Sequence, residues 1–190
     1  MEQEIQDVSI KRIQETMPQL KGIENELIID YTEYKMPNDK HPIHRYPIRF
    51  DGLYIGLREK GKARFSINLK EFEVGHNDLV ICSPNDLVQA TLHEDIHLVQ
   101  SMIVSSHFLK EMYISLNSFM PFFAARKDHP VFHLTDSEME ELKAYFLLIK
   151  DNIEKDDYFR ADIIKRLLAA YLYKLGSILY RHRPEDRKST

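Results

Sequence analysis

Cysteine is all but missing: Cys82 is the only one in 190 residues. A single thiol excludes an internal disulfide framework and fits a reducing compartment, so a cytoplasmic location is expected. An excess of positive charge is missing too. The 26 Lys and Arg stand against 30 Asp and Glu, for a net charge of -4 and an isoelectric point near 6.1. That balance removes the electrostatic reason for this chain to bind nucleic acid, which wants a basic face. No apolar run approaches the roughly 20 residues of a membrane span, so no membrane partner is expected. The opening residues, Met1 to Asp7, have neither the cationic start nor the apolar run of a signal peptide. Internal repeats and low-complexity tracts are absent. What is present is core material: 43% hydrophobic and 11% aromatic residues argue against disorder. The length is that of one domain, or one domain with an appendage.

Residues 2 to 20 place Ile5, Val8, Ile13, Met17 and Leu20 at mixed spacing, compatible with a short helix that ends by Met17, before Pro18. Leu27 to Tyr31 reads as a strand, and Met36 to Pro42 as a polar turn cluster. From Arg45 to Val104 the pattern is a meander of short strands without a helix. Two runs rich in Ile, Tyr and Phe flank the charged turn at Gly61, a hairpin signal. Pro84, Asn85 and Asp86 break the strand that ends in Cys82 and Ser83. Between Leu87 and Val104 the stripe Leu92, Ile96, Val99, Ile103 also fits a helix, but such a helix would lack a cap and a stop. Two strands joined by the polar His93-Glu94-Asp95 turn are the simpler expectation. Three helices follow. Ser105 and Ser106 cap the first, which carries Phe108, Met112 and Phe119 and stops near Pro121. Thr135 and Glu138 form a capping box for the second. The third starts near Phe159. Its apolar positions Ala161, Ile164, Leu168, Tyr171, Leu175 and Ile178 alternate steps of three and four, a heptad seam.

His93-Glu94-x-x-His97 matches the zinc-hydrolase spacing letter for letter. On a helix that spacing turns both imidazoles to one face, with the Glu polarising a water. Nothing like Gly-x-x-His follows His97, and Glu111 is the nearest acidic candidate for a third ligand. A solvated turn between strands is the preferred reading. His41, His44 and His76 would join a metal cluster only if the strands closed around them. No nucleophile elbow and no phosphate loop occurs.

Taken together, Ile55 to Ala63, Asn77 to Asn85, Val104 to Leu109, Pro130 to Thr135 and Ile163 to Leu168 resemble, in order and spacing, the N-terminal regulatory domain of AraC-family transcription regulators. The resemblance covers about residues 40 to 182. It implies an α+β fold: a cupin-like β-barrel of jelly-roll type followed by three C-terminal helices, the last of them for dimerisation. It implies a small-molecule effector, a homodimer, and DNA contact only through a helix-turn-helix domain that these residues do not include. The expected organisation is an arm at 1–40, a sensor barrel at 41–104, a helical region at 105–182 and a linker at 183–190. Metal-binding cupins carry His-x-His and Glu after the first hairpin Gly, whereas Gly61 is followed by Lys62-Ala-Arg-Phe-Ser66. Their second motif ends in a His where this chain has Val88 or Gln89. Neither a metal nor another cofactor is therefore expected, nor an enzyme.

For the effector, Tyr54, Arg58, Gln89 and Gln100 are the expected ligand-binding residues, each a polar side chain interrupting an apolar strand. Arg49 and Arg58 would suit an anion. For the dimer, Ile164, Leu168, Tyr171, Leu175 and Ile178 are the expected interface. Alternation alone leaves open which strand face lines the barrel. The alternatives are a zinc-dependent hydrolase built on His93, Glu94 and His97, and a non-regulatory dimeric cupin.

Overall fold

The structure, a computed structural model, describes residues 6–17, 20–23, 25–35, 46–92, 96–112 and 129–182. In chain order these form β1 (Gln6–Asp7), α1 (Ile10–Thr16), β2 (Lys21–Ile23), β3 (Leu27–Lys35), β4 (Ile48–Arg49), β5 (Gly52–Lys60), β6 (Ala63–Ile67), β7 (Lys70–Val74), β8 (Asp78–Cys82), β9 (Leu87–Leu92), β10 (Ile96–Ser105), α2 (Ser106–Glu111), β11 (Val131–His133), α3 (Asp136–Glu154) and α4 (Arg160–Arg181). The strands fall into two sheets, of five strands (β1-β4-β9-β6-β7) and six strands (β11-β8-β5-β10-β3-β2). Every ladder is antiparallel except β1 with β4.

The six-stranded sheet is buried on both faces. Ile28, Val80, Cys82 and Ile103 point towards the five-stranded sheet and share a core with its Ile48, Phe65, Ile67, Val88 and Ala90. Ile29, Ile55, Leu57, Leu79 and Met102 point the other way and share a core with Met139, Leu142 and Phe146 of α3 and with Leu168 and Leu175 of α4. This is an α+β sandwich of two mainly antiparallel sheets with helices laid over one outer face. α1 joins the inter-sheet core through Ile10, Ile13 and Met17, and its first turn is held by Ser9 Oγ accepting from the Arg12 amide at 3.1 Å.

Several expectations hold. Leu87–Leu92 and Ile96–Ser105 are both strands. Gly61 makes the β5–β6 turn at a φ of 81°. Thr135 Oγ1 accepts from the Glu138 amide at 3.3 Å while Glu138 Oε2 accepts from the Thr135 amide at 3.1 Å, the expected capping box. Ser105 caps α2, and Phe159 precedes α4. Phe119 and Pro121 lie outside the described residues.

Two expectations are corrected, and one hairpin of the meander carried no turn signal in the sequence. The sheet body does not begin at residue 41: β3 pairs with β10 from Leu27↔Val104 to Lys35↔Ile96, and β11 adds a strand from the helical region. The unsignalled hairpin follows β6. Asn68 and Leu69 both take positive φ and turn the chain into a β6–β7 hairpin, an Asn-Leu turn where Asn-Gly would have signalled it. Lastly, the α4 seam faces inward. Ile164, Leu168, Tyr171 and Ile178 are 0% exposed and Leu175 is 2% exposed. The chain's own α3 and sheet cover them, so those five side chains are core and are not open to a second copy.

Candidate ligand site

β5 carries two polar centres on opposite sides of the six-stranded sheet. Successive strand residues point to opposite faces, and Arg58 and Glu59 are successive. Arg58 follows Tyr54 and Gly56 on the face towards the five-stranded sheet. There Tyr54 lies against Phe65 of the opposite sheet, with ring centroids 6.4 Å apart. The Tyr54 side chain folds back over Gly56, where a Cβ would stand 2.5 Å from the phenol oxygen. Burial pushes the Tyr54 phenol well above its ordinary range, with Cys82 adding to the shift and the Arg58 charge opposing it.

Arg58 is buried, and its Nη1 lies 3.1 Å from Nδ1 of the equally buried His97. A guanidinium only donates, so Nδ1 accepts and the His97 proton resides on Nε2. Gly61 supplies the room: a Cβ there would stand 2.5 Å from His97 Nδ1. The charge of Asp30 also reaches Tyr54 in this interior, acting on the phenol in the sense opposite to Arg58.

Glu59 lies on the other side. The β5–β10 register shifts between Leu98 and Val99, so that Arg58 pairs with Val99 and Lys60 with Leu98. Glu59 is the extra residue of this bulge, which turns both Glu59 and Lys60 towards α3. A cleft of about 170 Å³ opens there, walled by Glu59, Lys60 and Gln100 of the sheet and by Asp136, Glu140 and Lys143 of α3. Glu59 Oε2 accepts from Lys143 Nζ at 2.9 Å, and Glu59 Oε1 accepts from Gln100 Nε2. Burial alone would raise the Glu59 carboxyl, but hydrogen bonds from Lys143, Gln100 and Tyr31 outweigh it and hold it below its ordinary value. The same Glu59 bond pushes the Lys143 ammonium up, so both partners stay charged. His76 closes the rim by hydrogen-bonding the Glu59 carbonyl oxygen at 2.8 Å.

The four expected ligand residues therefore do not meet. Tyr54 and Arg58 share the inter-sheet interior. Gln100 sits on the helix side, not in the barrel. Gln89 pairs with Ser66 in the five-stranded sheet, between the inward Val88 and Ala90, so it faces away from the interior. Arg49 lies half-exposed, 3.9 Å from Asp7. His97 was legible in the sequence only as part of the zinc spacing, and its partnership with Arg58 carried no signal there. His97 belongs to the strand β10 and not to a helix of the kind the zinc reading needs. His93, Glu94 and Asp95 lie outside the described residues, as do His41 and His44. Among the described residues no group of three or more His, Cys, Asp or Glu is placed to hold a metal ion, and no helix is long and apolar enough to cross a membrane.

No protein-family model and no curated protein matches the chain. Solved structures do. The AraC-like transcriptional activator CuxR matches at a TM-score of 0.49 and 13% identity, over 87% of this chain and 56% of its own. An apo ToxT variant from Vibrio cholerae strain SCE256 matches at 0.45 and 10%, over 80% of this chain and 56% of its own. A cupin 2 conserved barrel domain protein from Leptotrichia buccalis matches at 0.37 and 11%, over 45% of this chain and 39% of its own. The chain thus spans a little over half the length of the two regulators. What it is similar to is AraC-family regulators over most of its residues, and a cupin barrel over less than half of them.

Proposed function

We propose that this chain is the effector-sensing and dimerising part of an AraC-type transcription regulator, and that it is not an enzyme. The effector is a small anion received between the two sheets by Arg58, with His97 and Tyr54 beside it. DNA contact belongs to a further domain beyond these residues. One observation supports this reading: the buried Arg58–His97 pair, a guanidinium and an imidazole at 3.1 Å in an interior where the charge of Asp30 also acts on Tyr54. Burying a charged group has a high desolvation cost, and a site that keeps one there gains a strong, directional hold on an opposite charge. The chain's charge of -4 supports DNA contact from elsewhere.

The second copy docks on the outward side of α4, because the inward seam is already covered. Tyr173, Ser177 and Tyr180 lie exposed there at steps of four and three. An effector then acts by preferring one of two arrangements of sandwich and helices, and can shift their balance only by its difference in affinity for the two.

The first experiment is a thermal-shift screen of small carboxylates and phosphates against their uncharged analogues, with metal content and molar mass measured on the same sample. An anion at about 100 times its Kd should stabilise the protein by about 2.7 kcal/mol. Arg58→Met should abolish the shift, and His97→Asn should weaken it. Stabilisation by neutral analogues alone, or an unchanged shift in both variants, would refute the anion site. Stoichiometric zinc in the folded protein would refute the regulatory reading and return His93, Glu94 and His97 to consideration. A monomer at all concentrations would refute the dimer.

A further inference from the structure

The cleft between the six-stranded sheet and α3 goes beyond the effector site proposed above, from which the sheet itself separates it. One wall atom is incomplete. Gln100 is 1% exposed, and its Oε1 has no hydrogen-bond donor among the described residues. Its amide orientation is set by Glu59: Nε2 donates to Glu59 Oε1, and turning the amide over would press one oxygen against another. A buried acceptor left without a donor is costly, and such atoms in folded proteins call for an explanation. Nothing among the described residues supplies that donor, and a ligand that enters the cleft past Lys143 could do so.

The rest of the wall states what kind of donor. Glu59, Asp136 and Glu140 stand against Lys60 and Lys143, so these five side chains together carry one net negative charge. Several of its charges are already committed. Lys60 bonds Glu33 at 3.1 Å, Asp136 Oδ1 accepts from Asn77 Nδ2 at 2.5 Å, and Lys143 holds Glu59. An anionic ligand would meet the Gln100 oxygen and the Glu59 carboxylate and be repelled. A ligand bearing N–H donors and a positive charge would be welcomed by both. The cleft's volume of about 170 Å³ is below the range of drug-sized pockets, so the ligand is small.

We infer that this cleft binds a small primary ammonium compound, which takes the place of the Lys143 ammonium on Glu59 and donates to Gln100 Oε1. Lys143 is the movable member. Its arm is a flexible chain tethered at one end to α3, and releasing it from Glu59 uncovers the carboxylate for the ligand. Met139 supplies an apolar wall for the ligand's carbon chain.

The test is a nuclear magnetic resonance titration of the whole 190-residue chain, following the Gln100 side-chain amide and the backbone amides of Glu59 and Asn77, which every variant retains. The probes are propylammonium chloride, 1-propanol and sodium propionate, each up to about 50 mM, a range suited to millimolar affinity. Propylammonium should give a saturable shift of the Gln100 signal, with 1-propanol and propionate giving none. Gln100→Met should weaken binding at least about tenfold. Lys143→Met should tighten it, because the competing ammonium is gone. If Gln100→Met does not fold, Glu140→Gln at the exposed rim takes its place and should weaken binding about threefold. The inference is overturned if propylammonium gives no saturable shift, if 1-propanol binds as well, or if the variants bind as the unaltered chain does. Failure of the anion screen above would leave this result untouched, since the two sites lie on opposite faces of one sheet.

Discussion

Replacing Tyr171 by Phe removes one oxygen from the middle of the core between the helices and the sheet. The Tyr171 side chain is 0% exposed, and its hydroxyl has no hydrogen-bond partner among the described residues. Burial pushes the phenol well above its ordinary range, so the neutral, uncompensated O–H is the species that sits there. Leaving a buried hydroxyl unmatched costs about 1–3 kcal/mol relative to water. The gap left by one oxygen, roughly 10 Å³, costs only about 0.2 kcal/mol at about 24 cal/mol per Å³. The variant should therefore be more stable by about 1 kcal/mol. In a chain of this size that raises Tm by about 2–4 °C. Urea denaturation followed by circular dichroism measures it, with an unchanged slope showing that only stability moved. Destabilisation by about 1 kcal/mol or more would mean that the hydroxyl has a partner in solution, and the reasoning from burial would fail.

Leu168→Asp with Leu175→Asp places two carboxylates in that same core, and circular dichroism should report an unfolded chain; a folded monomer would show that the seam packs against another copy after all. Glu138 is half-buried. Burial would raise its carboxyl, but His182, the Thr135 amide and Arg181 outweigh that and hold it at about 2, against 4.5 for an ordinary glutamate. A lowered carboxyl contributes stability above its unfolded value and loses it as the pH falls. Denaturation curves should thus show a loss between about pH 4.5 and pH 2 that Glu138→Gln removes, and an unchanged acid slope in the variant would refute it. Thr135→Ala should cost about 1 kcal/mol in thermal unfolding through the lost cap, and no change would mean that Glu138 alone holds the turn.

Elements whose signal is local were legible in the sequence. The Thr135 capping box, the Ser105 cap, the Gly61 turn and the start of α4 all rest on residues within one turn of one another. The heptad seam was legible as a spacing but not as a partner. Period tells that one face of α4 is apolar, and nothing in it tells whether α3 or a second chain covers that face. Strand faces failed for a different reason. Alternation marks the inside only where one face is wet, and the six-stranded sheet is dry on both. Tyr54 and Gln100 therefore look alike in sequence, both polar among apolar neighbours, although they stand on opposite sides. The bulge at Glu59 was hidden as well, since it is a property of the register between β5 and β10. Arg58 and His97 are 39 residues apart, and only the strand pairing brings them together.

The double burial of one sheet also divides the chain by how freely it can drift. On the five-stranded sheet, Arg64, Ser66, Gln89 and Thr91 face outward, and substitutions there disturb neither core. On β5, from Gly52 to Arg58, only Tyr54 is more than slightly exposed. A change at nearly any residue of that strand reaches one core or the other. Lineages descending from this sequence should therefore diverge along one wall of the sandwich and stay nearly unchanged along the other, so the wall that carries both polar centres is also the one least free to lose them.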